Sequence, residues 1–196
     1  MEEDTVIYSG LIVIGGSAGS LEILIHVLSQ LNPAFMIPIV VVMHRKATND
    51  SSLTELLASR SRLPVTEPEE KEQILPGTVY ICPADYHLLI EKDRTFSLDF
   101  SEKVNFSRPS IDVSMQSASD VYLNGTTGIL LSGASKDGTE GMRAISDNRG
   151  YTIVQDPVDA EVPFMPQQAI QAGFVDAVLK RDEMVAFINR LSPLLY

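Results

Sequence analysis

The chain has 196 residues, 26 acidic against 15 basic, and a net charge of −11. That balance argues against a nucleic-acid binder, which needs a basic face for phosphates, and against an anionic membrane surface as main partner. Apolar residues at 44% and charged residues at 21% are ordinary for a globular protein. A chain of this length reads as one domain, 1–196 with its core at about 10–192, able to bury a core without staples. The start, Met1-Glu2-Glu3-Asp4, is acidic, unlike a targeting peptide, and no apolar run is long enough to insert in a bilayer. One cysteine, Cys82, excludes an internal disulfide and fits a reducing compartment, so the cytoplasm is expected. It lies in an apolar run and reads as a buried thiol. No group of His, Cys and carboxylates has ligand spacing, so neither metal nor cofactor is expected.

Taken in chain order, helical and strand patterns alternate. Residues 10–15 read as a buried strand that breaks into Gly15-Gly16-Ser17-Ala18-Gly19, ahead of an apolar helix over 20–31. The β-branched run 38–43 predicts a strand covered on both faces, and 48–61 a helix capped by Asn49 or Asp50. Strands follow at 64–66 and 78–82, then a hairpin of 87–91 and 95–100 turning at Lys92-Asp93-Arg94. The segment 101–110 reads as a surface loop, 110–122 as a helix and 127–132 as a buried strand. A helix over about 137–147, a strand at 151–154, a short helix at 166–172 after Pro166, an edge strand at 174–179 and a helix at 182–192 complete the chain. This alternation predicts an α/β fold: a doubly wound, mostly parallel sheet with helices on both faces and a small β-hairpin.

Gly-x-Ser-x-Gly between strand and helix makes Ser17 the first candidate for chemistry. Small flanking residues allow a sharp turn that exposes the hydroxyl at the strand's end. The N–H of Ala18, at the head of the following helix, is the expected oxyanion donor. In a parallel sheet all strand C-termini share one edge, where ligands bind. His44 directly follows strand 38–43 and so shares that edge with Ser17. If the two strands are neighbours, their backbones lie ~4.8 Å apart and the imidazole reaches the hydroxyl. His26 lies within a helix and reads as packing or surface, whereas His87 opens the hairpin and is the weaker rival. A carboxylate is needed to orient the imidazole, and Asp85, Asp137 and Asp156 each follow a strand. Asp137 reads equally as the N-cap of its helix, and chain position does not separate the three. The order Ser…His…Asp and the early serine exclude an α/β-hydrolase, and the glycine spacing fails the dinucleotide fingerprint.

These segments together resemble a known family. Ile14-Gly15-Gly16-Ser17-Ala18-Gly19, Val42-Met43-His44, Leu75-Pro76-Gly77, Ile81-Cys82-Pro83-Ala84-Asp85-Tyr86-His87 and Arg108-Pro109-Ser110-Ile111-Asp112-Val113 come first. Gly128-Ile129-Leu130-Leu131-Ser132-Gly133, Asp137-Gly138-Thr139-Glu140-Gly141-Met142 and Phe164-Met165-Pro166 follow. Their order is similar to that of the catalytic domain of the chemotaxis protein-glutamate methylesterases, the CheB family, over about residues 10–190. The resemblance implies a serine hydrolase with Ser17 as nucleophile, His44 as base and Asp137 as orienting acid. Its implied substrates are glutamate γ-methyl esters of a methylated chemoreceptor-like protein, with deamidation of glutamine beside them.

Three positions depart from the family pattern. Ala18 replaces a threonine, Gly133-Ala134-Ser135 replaces Gly-Met-Gly, and Arg45-Lys46 follow the histidine in place of Met-Pro. Family members commonly carry a receiver domain upstream, and with about nine residues before the first strand that switch is expected to be absent here. A separate regulatory protein would then be the partner that controls it. Arg45 and Lys46 beside the base, Lys136 beside the acid and Arg108 are expected to form a basic lip that binds an acidic target. Two other readings stand beside this one: a slack homologue acting as a binding module in a signalling complex, and an esterase for a different substrate.

Overall fold

A computed structural model describes residues 7–45 and 52–194. Its centre is a seven-stranded sheet in which every pairing is parallel. After a two-residue β1 (Tyr8–Ser9), the chain forms β2 (Leu11–Gly16), α1 (Leu21–Gln30), β3 (Ile39–Met43) and α2 (Ser52–Arg60). The residues proposed as its cap, Asn49 and Asp50, lie outside the described residues. Short strands β4 (Val65–Thr66) and β5 (Val79–Ile81) follow, then the antiparallel hairpin β6 (His87–Ile90) and β7 (Phe96–Asp99). The second half runs α3 (Ile111–Tyr122), β8 (Thr126–Leu130), α4 (Thr139–Asp147), β9 (Tyr151–Gln155), α5 (Phe164–Ala172), β10 (Ala177–Leu179), α6 (Arg181–Arg190) and β11 (Ser192–Pro193). None of these helices is long and apolar enough to cross a membrane.

The sheet order is β10-β9-β8-β2-β3-β5-β4. The chain starts in the middle at β2, fills one side with β3, β4 and β5, then crosses to the other side with β8. The C-terminal edge between β2 and β8 is therefore the topological switch point, where such sheets open a crevice. Period-2 alternation decides which face each strand residue meets. Ile12, Ile14, Ile39 and Val41 face the helices α1 and α6, through Leu24, Leu28, Met184 and Ile188. Leu11, Val13, Val40 and Val42 face α3, α4 and α5, and the hairpin packs on that same side through Leu88, Ile90 and Phe96.

Two details differ from the sequence reading. The helix expected to start at Pro166 begins two residues earlier, at Phe164. Proline fits a first helical turn because its missing N–H would have no partner there in any case. β1 pairs in parallel with β11, at Tyr8↔Ser192 and Ser9↔Pro193. Two residues are too short for an alternation pattern to reveal.

Gly15 lets α3 reach the sheet: a Cβ there would drive into the side chain of Ile111, with Leu130 Cδ1 at 3.1 Å. Gly15→Ala should therefore destabilise the protein by about 1–3 kcal/mol through overpacking. Urea unfolding checks this, and an unchanged midpoint would show that α3 yields freely.

Candidate active site

Ser17, His44 and Asp137 sit at the C-terminal edge, after β2, β3 and in the loop after β8. Gly16 pairs with Met43 across β2 and β3, so Ser17 and His44 are the next residues along two adjacent strands. The N–H of His44 donates to the Gly16 carbonyl at 3.1 Å, which extends the ladder to the histidine itself. Ser17 in turn donates its N–H to the Ser132 carbonyl at 2.9 Å, binding the turn to the strand on the other side. Its carbonyl accepts the Ser20 hydroxyl at 2.6 Å, which closes the turn into α1. Ser17 is half-buried and Ala18 exposed. Among the described residues, the Ala18 N–H makes no hydrogen bond to a backbone carbonyl.

His44 Nε2 donates to Asp137 Oδ2 at 2.7 Å, which leaves Nδ1 as the ring's basic nitrogen. The Asp137 side chain is fully buried and that of His44 13% exposed. Asp137 does not cap its own helix, the alternative its chain position allowed. It caps α3 instead: the N–H groups of Ile111 and Asp112 donate to it at 2.7 and 3.1 Å, and the Ser110 hydroxyl at 2.9 Å. The return bonds come from Asp112, whose Oδ1 accepts the N–H groups of Gly138 and Gly141, both at 2.8 Å. Each helix is thus capped by a carboxylate from the other's segment. Burial alone pushes the Asp137 carboxyl up, but the bonds from His44, Ile111, Asp112 and Ser110 outweigh it and hold it at about 2. Burial and the charge of Asp137 push Asp112 the other way, up to about 7.

The remaining aspartates have other partners. Asp85 pairs with Arg108, Nη2 to Oδ1 at 2.9 Å, and Asp156 accepts the N–H of Val158 in its own turn at 2.8 Å. His26 bonds Asp182 on α6, and His87 is buried at the start of the hairpin. Burial pushes the Cys82 thiol far up, which suits an inert core residue.

A cleft of about 400 Å³ opens beside His44, lined by Arg45, Asp85, Lys103, Phe106, Ser107, Arg108 and Pro109. Arg45 and Arg108, expected in a basic lip, both reach it, and each already holds a carboxylate. Arg45 Nη2 meets Glu67 at 2.6 Å and the Cys82 carbonyl at 3.1 Å. The Arg108 guanidinium lies 3.8 Å from the centre of the Phe100 ring. Lys136 is exposed and lines a separate hollow of about 120 Å³ with Asn105, Asp112 and Glu140. Lys46 lies outside the described residues. Sequence reasoning did not find Lys103 and Phe106, although Phe106 is 98% exposed. A lone aromatic in a polar loop carries no periodicity, so only its position beside the cleft marks it.

Asp137→Asn would turn an amide N–H group toward donors only. The wild-type carboxyl sits at about 2, below its ordinary value, so its contribution is complete above ~pH 4 and fades as pH falls through about 2. Urea unfolding should show Asp137→Asn about 1–2 kcal/mol less stable at pH 7, with the gap closing toward pH 2. A gap independent of pH would mean that the carboxylate's charge is not what the helix ends hold.

Comparison with known proteins agrees with the geometry. The family model for the CheB methylesterase domain matches residues 12–188. A solved structure of the Thermotoga maritima CheB methylesterase catalytic domain superposes with a TM-score of 0.90 at 34% identity, covering 95% of this chain and all of that one. A Leptospira interrogans protein is 46% identical over 180 residues, which are 92% of this chain and 93% of its own. The protein-glutamate methylesterase/protein-glutamine glutaminase 1 of Carboxydothermus hydrogenoformans is 41% identical over 174 residues. That alignment covers 86% of this chain but only 51% of the relative, so the chain spans about half of that protein's length.

Proposed function

The chain belongs to the CheB methylesterase family, and we propose that it hydrolyses the γ-methyl esters of glutamates on a chemoreceptor-like protein. One observation carries this reading: segments far apart in sequence bring Ser17, His44 and Asp137 to the switch point of one sheet. In the proposed reaction Ser17 Oγ attacks the ester carbonyl while His44 Nδ1 takes its proton. Asp137 holds the ring through Nε2 and stabilises the imidazolium. The oxyanion is met by the Ala18 N–H, and the C–O bond to methoxide breaks as His44 returns the proton, releasing methanol. Water then attacks the acyl-serine by the same route and frees glutamate and the hydroxyl. Ammonia replaces methanol as leaving group when the substrate is glutamine, a second activity in keeping with the names of the relatives.

Recognition of the target is assigned to the cleft beside His44, with Arg45 and Arg108 as its fixed cations and Lys103 as its exposed one. Lys136, which lines its own hollow, and Lys46 are proposed to contribute further positive charge to binding an acidic target. Because the two arginines are already paired, they offer N–H groups and shape more than free charge. A target flanked by glutamates then relies on the lysines for attraction at short range, within a Debye length of ~8 Å at physiological salt. The lone buried thiol of Cys82 supports a cytoplasmic setting.

Ser17→Ala and His44→Ala should each lower methanol release from a methylated receptor by several orders of magnitude with circular dichroism unchanged. A folded variant that keeps most of its activity would refute the assignment of that residue. A wild-type chain that binds the receptor and releases no methanol would make it a binding module.

A further inference from the structure

One buried imidazole has no part in the proposed reaction. His87, at the start of β6, is 1% exposed and bonded at both nitrogens. Its Nδ1 accepts the Ser110 N–H at 3.1 Å, so the proton is on Nε2, which donates to the Glu102 carbonyl at 3.1 Å. Ser110 is the residue whose hydroxyl meets Asp137, and the next two N–H groups in the chain complete the seat of that carboxylate. Without His87 the Ser110 N–H would be a buried donor with no acceptor, and the start of α3 would be free to move toward one. Farther along, α3 is fastened to the same strand by Ser114 Oγ on the Leu88 carbonyl and by the Ile90 N–H on Ser117 Oγ. The other arm, to Glu102, enters the loop that supplies Lys103, Phe106 and Arg108 to the cleft. A second tie joins the same two places, Asn105 Nδ2 to Asp112 Oδ2 at 2.9 Å.

We propose that His87 is a positioning residue: it fixes the start of α3, and through Ser110 it sets the seat of Asp137 and ties that seat to the outer wall of the cleft. The role rests on the esterase reading, with Asp137 as the orienting acid. His87 touches neither substrate nor reacting atoms, so its effect is on where the acid stands. A carboxylate moved by even a fraction of an ångström holds the His44 ring less well, and rate suffers more than binding.

Two substitutions separate the arms of the ring. In His87→Asn the amide oxygen stands where Nδ1 stood and keeps the Ser110 acceptor. In His87→Gln the amide nitrogen reaches the position of Nε2 and keeps the Glu102 arm only. His87→Gln should lower kcat on a small neutral methyl ester by about tenfold to a hundredfold with KM nearly unchanged. It should also shift or broaden the low-field NMR resonance of the His44 Nε2 proton that faces Asp137. His87→Asn should keep both close to wild type. Equal losses in the two variants with that resonance unmoved would make His87 a packing residue and overturn the proposal. If neither variant folds, the wild-type chain is read instead: a through-bond NMR coupling between the Ser110 N–H and His87 Nδ1 is expected, and its absence would also overturn the proposal. The resonance needs no turnover, so a wild-type chain without esterase activity would refute the functional reading and leave this test intact.

Discussion

The exchange of carboxylates between α3 and α4 is the constraint on which the rest of the site depends. Two helix N-termini, each with a partial positive charge, are brought together under the sheet edge. Gly141 allows the approach, since a Cβ there would meet the Asp112 Cα at 3.2 Å. Facing one another without anions, those ends would leave orphaned N–H groups in a dry place. Asp137 and Asp112 fill the gap crosswise, each accepting N–H groups from the other's helix. The arrangement also sorts two neighbouring carboxyls. Asp137 has the histidine as a further donor and is held at about 2, and its charge helps raise Asp112 to about 7. The bonds that lower Asp137 favour its anionic form, and that is the carboxyl facing His44.

Much of this was legible in the chain. Alternating and continuous apolar runs reveal a parallel sheet because burial on one or both faces leaves a period that sequence preserves. That regularity put Ser17 and His44 on one edge before any neighbour was known. Strand order is another matter, since β2 lies between β3 and β8 and its pairing with β8 joins residues over a hundred positions apart. The carboxylate that meets His44 could not be chosen for the same reason. Asp85, Asp137 and Asp156 all follow strands, and what separates them is their partners: Arg108, His44 and the turn at Val158. Chain position offered Asp137 as a cap for its own helix, whereas its carboxylate serves another that starts twenty-six residues earlier.

The basic residues show the limit differently. Arg45 and Arg108 are adjacent to site motifs, so sequence places them near the cleft. It does not say that Glu67 and Asp85 return from distant segments to bind them. A guanidinium in such a pair is a fixed donor array, and its value to a substrate lies in geometry more than in charge. The net charge of −11 adds no attraction for an acidic target. Whatever draws that target in has to be local.

Ser17 and His44 take their relative position from the sheet, and Asp137 takes its position from the helices. The Ser17–His44 spacing follows from a parallel ladder that continues through the His44 N–H to Gly16, and it moves only if strands separate. Asp137 refers instead to α3, through three donors that shift together if the helix start shifts. The two frames meet at His44, its backbone belonging to the first and its Nε2 to the second. Sheet ladders are stiff, whereas helix ends are held by a few side-chain bonds. Adjustment of this site is therefore concentrated at Asp137, whose oxygens accept bonds from His44, Ser110, Ile111 and Asp112. Every donor that faces Asp137 closes off a direction in which the oxygen bonded to His44 Nε2 would otherwise move.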